Sequence, residues 1–241
     1  MLSKNQLKFI RSLKKKKFRQ THQLFLAEGI KVVEELINSS FAVHQLYATA
    51  SYSNALDTDD IQLISEKELR MISDFSNPNQ ILGIFEIPKP ADLAETGITV
   101  VLDEINDPGN LGTIIRLCDW FGVTQLVCSE NTVDCFNQKV VQASMGSLSR
   151  VAVMYVDLGS YLENEKRTIY GTFLQGENVY SSKLEKNAVI VLGNEANGIS
   201  NKIEQLVDKK ITIPQFGEKL NTESLNVAMS TAITLSEFKR S

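Results

Sequence analysis

The chain is poor in the residues on which hydrolytic, redox and metal chemistry usually rest. Its 241 residues include three cysteines and two histidines. Cys118, Cys128 and Cys135 are odd in number and lack CxxC spacing, so neither a disulfide framework nor a zinc motif is expected, and no metal site. Cysteine usage of this kind suits the cytoplasm. His22 and His44 stand beside no candidate nucleophile in sequence, which disfavours a histidine-based hydrolase. No apolar run approaches the roughly 18 residues of a membrane span. The N-terminus is too basic and lacks the apolar core of a signal peptide. Neither a GxGxxG fingerprint nor a P-loop is present, so dinucleotide and nucleoside-triphosphate binding are not indicated.

Acid is missing from one place. Residues 1–20 hold Lys4, Lys8, Arg11, Lys14, Lys15, Lys16, Lys17 and Arg19 with no Asp or Glu, so the rest of the chain carries −12 of a net charge of −4. A basic head on an acidic body predicts a local polyanion contact rather than a globally basic binder.

With 43% hydrophobic residues the chain can build one large domain or two small ones. Residues 3–20 are helix-friendly, with Leu7, Ile10 and Leu13 at helical spacing. Strands are expected at 24–27, 43–48, 61–64 and 81–87, with helices from Ile30 to Ile37 and from Glu66 to Asp74. This alternation predicts a small α/β unit over 1–88. Pro88-Lys89-Pro90, running on to Gly97, breaks the composition and reads as a linker over 89–97. A second α/β unit, 98–241, starts again at Ile98. Its strands are near-continuously apolar, as parallel strands covered on both faces should be. They are expected at 98–102, 125–128, 151–156, 168–173, 188–192 and 211–213, with helices at 111–121, 138–147 and 158–165 and one beginning near Ser200.

Three loops of the second unit share a design: each follows an apolar strand, contains Gly or Pro, and precedes a helix. The first is Asn106-Asp107-Pro108-Gly109-Asn110-Leu111-Gly112, with Arg116 four residues past Gly112. Arg116 is either a surface member of an amphipathic helix or a charge held for an anionic partner. The second runs from Gly193 to Gly198 around Glu195. In the third, Ile211–Ile213 meets Pro214, and a polar loop leads into Thr222-Glu223-Ser224-Leu225-Asn226, a run suited to capping a helix. Such loops converge at the carboxyl end of a parallel sheet, where ligands bind.

Taken together, NDPGNLGTIIR, VLGNEANGIS and ITIPQFG…ESLNVAMSTAI resemble motifs 1, 2 and 3 of the SpoU/TrmH family of the SPOUT superfamily, RNA 2′-O-ribose methyltransferases. The resemblance covers 98–241, and residues 1–88 look like the family's small α/β RNA-binding extension. It implies a parallel-sheet SPOUT domain with a C-terminal trefoil knot, S-adenosylmethionine as cofactor, and a homodimer. By position, Asn110, Arg116, Glu195, Ser224 and Asn226 match the family's catalytic set. Leu192, Gly193, Asn194, Gly198, Ile213, Pro214 and Leu225 match its cofactor-binding positions. The implied substrate is a ribose 2′-hydroxyl in structured RNA, ribosomal rather than transfer RNA, with Lys14, Lys15, Lys16, Lys17 and Arg19 on its phosphates. A transfer-RNA enzyme and a catalytically silent assembly factor of the same fold are the alternatives. The resemblance leaves open whether Arg116 is a base or a stabiliser of phosphate and alkoxide, since arginine side chains stay protonated at neutral pH.

Overall fold

The computed structural model describes residues 1–53, 61–90, 94–217 and 224–240. The expected capping residues Thr222 and Glu223, and residues 91–93 of the expected linker, lie outside these. The chain forms two compact units, Met1–Lys89 with Asp134–Ser149, and Pro90–Val133 with Arg150–Ser241.

The first unit opens with α1 (Lys4–Ser12) and α2 (Lys16–His22). Sequence periodicity suggested one continuous helix here, but α1 stops at Leu13 and Lys15 takes an extended conformation before α2 begins. Ser3 and Gln6 close a capping box on α1, which sets its start. There follow β1 (Leu24–Glu28), α3 (Ile30–Ile37), β2 (Val43–Ala48), α4 (Ala50–Ser53), β3 (Ile61–Leu63), α5 (Glu66–Ile72) and β4 (Ile81–Glu86). The strands order as β1-β4-β2-β3, with β4 antiparallel to both β1 and β2. Residues alternate across β1. Leu24 and Leu26 join Ile10, Leu13, Leu69 and Ile72 in one core layer, while Phe25 meets Phe41, Phe85 and Phe136.

The second unit carries β5 (Ile98–Leu102), α6 (Pro108–Trp120) and β6 (Gln125–Ser129). The chain then places α7 (Gln138–Ser144) in the first unit, against β1. It continues with β7 (Ala152–Val156), α8 (Leu158–Glu163), β8 (Thr168–Asn178), β9 (Ala188–Leu192), α9 (Asn201–Glu204), β10 (Lys209–Thr212) and α10 (Val227–Arg240). The sheet has six strands in the order β10-β8-β9-β5-β6-β7, and every pairing is parallel. Each of β5, β6 and β9 is buried along its full length. Val101, Val189 and Val191 pack with Leu158, Leu162 and Ile203 of α8 and α9 on one side. Phe238 of α10 meets Tyr170 of β8 edge-on, and α10 also packs on α6.

β8 runs five residues past Phe173, where the sequence suggested it would stop. Its polar end, Gln175 to Asn178, carries no apolar signal. It stays a strand because β10 pairs with it, through a register shift between Lys210 and Ile211. Gly176 allows this approach: a Cβ there would lie 2.7 Å from the Lys210 carbonyl oxygen.

A buried ion pair ties the helix end near Glu165 to the start of β5, inside the sheet. Arg167 donates to Glu165 at 2.7 Å, with side chains 3% and 10% exposed, and reaches Thr99 Oγ1 and the Gly97 carbonyl. Burial alone would raise the Glu165 carboxyl. Hydrogen bonds from the Arg167 side chain and from the Arg167 and Lys166 backbone outweigh it and hold the pKa at about 2, below an ordinary 4.5. A depressed carboxyl contributes stability that is present above its unfolded pKa and is lost as pH falls through the folded one. The melting temperature should therefore fall between pH 4.5 and 2 in wild type, and this component should vanish in Glu165→Gln. At neutral pH that variant should lose about 3–5 kcal/mol in a denaturant titration, because Arg167 is left buried without its counter-charge.

Candidate active site

Because the sheet is all parallel, the loops after β5, β9 and β10 leave from one end. Asp107 caps α6, its Oδ1 accepting from the Asn110 N–H at 2.8 Å. Pro108 occupies the first turn, where its missing donor costs nothing. After β9, Gly193 leads into a tight loop. Asn194 and Gly198 exchange backbone hydrogen bonds, and Asn194 Oδ1 accepts from the Ala196 and Asn197 N–H groups. Asn194 Nδ2 donates at 2.7 Å to the carbonyl of Glu104, a residue held at φ +58° in the loop after β5. A non-glycine residue in that region is strained and persists only where its surroundings enforce it. After β10, Asn226 performs the capping expected at this helix: its Oδ1 accepts from the Ala228 and Met229 N–H groups.

These caps meet. Asn226 Nδ2 donates to Asn110 Oδ1 at 2.9 Å, and Asn110 Nδ2 donates to Glu195 Oε1 at 2.7 Å. The backbone donors of α10 fix the Asn226 amide, Asn226 fixes Asn110, and Asn110 fixes one oxygen of Glu195. Thus three loops from distant parts of the sequence are joined in one directional hydrogen-bonded chain.

Two cavities adjoin it. A cleft of about 1110 Å³ is lined by all seven expected cofactor positions, Leu192, Gly193, Asn194, Gly198, Ile213, Pro214 and Leu225, and by Ser224. A recess of about 620 Å³ is lined by Asn106, Asp107, Asn110 and Asn226. The two share Asn194, Glu195 and Ala196. Two contributors gave no signal in the sequence. The extended end of β8 supplies Leu174 and Gln175 to the cleft, and α10 supplies Thr234, whose buried hydroxyl has no hydrogen-bond partner among the described residues.

Arg116 lies elsewhere. It is exposed on α6, six residues and about 9 Å of helix rise beyond Asn110. It lines neither cavity, and its side chain makes no hydrogen bond or ion pair among the described residues. In the first unit, Lys15, Lys16 and Lys17 are exposed. Arg19 is not available to RNA phosphates as expected. It is 3% exposed and is spent on Asp134 and the Leu13 and Lys14 carbonyls. Lys14 is paired with Asp74. Among the described residues no helix is long and apolar enough to cross a membrane.

Residues 97–236 match the SpoU rRNA methylase family, and residues 4–83 match the MRM3-like substrate-binding domain. The chain belongs to the SpoU rRNA methylase family: a SPOUT-type α/β domain preceded by a small substrate-binding domain. It is 30% identical to the 23S rRNA (guanosine(2553)-2′-O)-methyltransferase RlmP of Bacillus subtilis, over 96% of this chain and 95% of that one. A TrmH-family protein from Porphyromonas gingivalis has the same fold at 37% identity, with TM-score 0.91 over 100% of this chain and 99% of that one. An AdoMet-bound rRNA methyltransferase from Sinorhizobium meliloti superposes with TM-score 0.86 at 29% identity, over 100% of this chain and 96% of that one.

Proposed function

We propose that this protein transfers a methyl group from S-adenosylmethionine to a ribose 2′-hydroxyl of ribosomal RNA, at a guanosine of the large-subunit RNA as in the relative RlmP. The observation that carries this is the Asn226–Asn110–Glu195 chain, set where two cavities share Glu195. The larger cavity suits a nucleoside bearing an amino-acid tail. Its walls combine the loops after β9 and β10 with strand and helix residues, and among the described residues the Thr234 hydroxyl within it has no hydrogen-bond partner. The smaller suits the acceptor ribose.

When bound, S-adenosylmethionine supplies a methyl already activated on a sulfonium. The remaining work is alignment and proton removal. Glu195 offers its second carboxylate oxygen to the ribose hydroxyl, either taking the proton itself or passing it to water. Asn110 holds that carboxylate in place. Arg116 grips the neighbouring phosphate and stabilises charge developing on the 2′ oxygen. Ser224, exposed at the cleft's edge, positions the polar end of the cofactor.

The enzyme works as a homodimer in which each copy lends Arg116 to the other's site. Support lies in Arg116's distance from its own cluster. Exposed apolar surface also flanks the region: Trp120 one turn beyond Arg116, Leu225 just ahead of α10, and Met229 in its first turn. Mixing inactive Arg116→Ala and Asn110→Ala proteins should then restore roughly a quarter of wild-type turnover, since half the mixed sites in a two-fold dimer are intact. A mixture that stays inactive would place Arg116 in its own chain's site.

The third loop closes the SPOUT domain as a trefoil knot, a topology that ordinary connection rules disfavour. The substrate-binding domain spans 1–88 and the methyltransferase domain 98–241, joined through 89–97. A ribosomal target places the work in the cytoplasm, the compartment that the cysteine usage suggests. Ribose-methylation mapping of 23S RNA from cells with and without the protein tests the substrate. One guanosine should lose its methyl, and an unchanged map would refute the assignment.

A further inference from the structure

We infer that α2 carries a stacking platform for an unpaired nucleobase, formed by Phe18 and His22 and flanked by Lys15, Lys16 and Lys17. The inference rests on the reading of the first unit as an RNA-binding domain.

Phe18 and His22 are one helical turn apart on α2, and their rings are nearly parallel, 10° between planes with centroids 6.5 Å apart. His22 is held from behind by Phe9, edge-on at 5.1 Å. Phe9 itself packs against the core that includes Ile10 and Leu13. The pair is therefore backed by α1 rather than free to turn. Both rings reach solvent: His22 is exposed, and Phe18 is 36% exposed.

The charge around the pair fits a polyanion. No acidic residue precedes Glu28, which is itself buried. The five cations of residues 14–19 divide into two groups. Arg19 and Lys14 are consumed by Asp134 and Asp74, whereas Lys15, Lys16 and Lys17 are exposed and make no ion pair among the described residues. The break between α1 and α2, which separates what sequence periodicity suggested was one helix, sets these lysines immediately before the aromatic pair. Aromatic faces beside lysines are the arrangement that binds single-stranded RNA. Rings stack on bases of any sequence, while ammonium groups track the backbone. In a duplex the base faces are already stacked and unavailable, so the occupant is a loop or bulge nucleotide.

The test uses the full-length protein and two RNAs of equal length. One is a stem-loop with 2-aminopurine in the loop, and the other is a blunt duplex. Phe18→Ala and His22→Ala should each weaken stem-loop binding about tenfold. They should leave duplex affinity and the salt dependence unchanged, and should reduce the change in 2-aminopurine fluorescence on binding. Phe18→Tyr, which keeps the ring, should retain wild-type affinity. Lys15→Gln/Lys16→Gln/Lys17→Gln should instead flatten the slope of log affinity against log salt by about 2. If the ring variants bind both RNAs like wild type while the lysine variant loses slope, the platform is refuted and the RNA-binding face stands. Equal weakening on both RNAs by the ring variants also refutes the platform, marking a structural role. If neither set changes binding, RNA does not meet this face and both readings fall.

Discussion

Alanine at Arg116 should lower methyl transfer about 10²–10³-fold, the usual loss when one group stabilising developing negative charge is removed. It should leave S-adenosylmethionine affinity within about twofold of wild type, a change of under about 0.4 kcal/mol. The physical basis is separation of roles. Every residue lining the cleft belongs to β8, β9, β10, α9, α10 or their loops, and Arg116 on α6 is absent from that lining. It has no partner among the described residues whose loss would disturb the fold. Arg116→Lys should recover little, because an ammonium cannot reproduce the planar fork that grips a phosphate. Single-turnover methylation, paired with isothermal titration of the cofactor, measures both quantities. Near-normal turnover in Arg116→Ala would remove the arginine from the chemistry. A parallel loss of cofactor affinity would make it a binding residue.

The second large effect is expected at Gly193. The loop after β9 folds back so closely that a methyl group on this residue would overlap the Gly198 carbonyl and the Ile199 nitrogen. Both are backbone atoms and cannot rotate away. Gly193→Ala must force apart the exchanged hydrogen bonds of Asn194 and Gly198, at 3.0 and 2.9 Å, and with them the wall shared by the two cavities. If that strain, roughly 1–3 kcal/mol for overpacking, falls on the cofactor wall, S-adenosylmethionine affinity should drop about 10²-fold. Gly198→Ala is the informative control. It sits at φ +69° with open space where its Cβ would point, so it carries conformational strain without a clash. Its effect should be about tenfold, in keeping with a left-handed residue costing roughly 1–2 kcal/mol. If the two variants bind S-adenosylmethionine equally well, close packing of this loop does not shape the cofactor site.

Much of the architecture is legible in local pattern. The buried runs of β5, β6 and β9 announce a parallel sheet covered on both faces, and Asn226 heads α10 as its residue type suggests. What was hidden depends on partners far away in sequence. Arg19 looks like one more solvent-facing cation, because Asp134, which buries it, lies 115 residues on. The helix Gln138–Ser144 reads as part of the second half. It joins the first because Phe136 packs on Phe25 and Gln138 donates to Glu28, contacts without any local signature. The end of β8 is polar and becomes a strand only by pairing with β10. At the site, the resemblance to the family's three motifs singled out Asn110, Glu195 and Asn226. That Asn226 orients Asn110 and Asn110 orients Glu195 emerges only when the loops are brought together in space.

The most direct measurement is transfer of tritium from S-adenosyl-[methyl-³H]methionine into 23S RNA, followed by complete alkaline hydrolysis. A methyl on the 2′ oxygen blocks the hydroxyl that alkali needs to cut the adjoining phosphodiester. Label should be recovered in alkali-resistant dinucleotides, and no such label should appear with Asn110→Ala. Label recovered in mononucleotides would mean a methylated base, and would contradict the claim that these three loops present a ribose to the methyl donor.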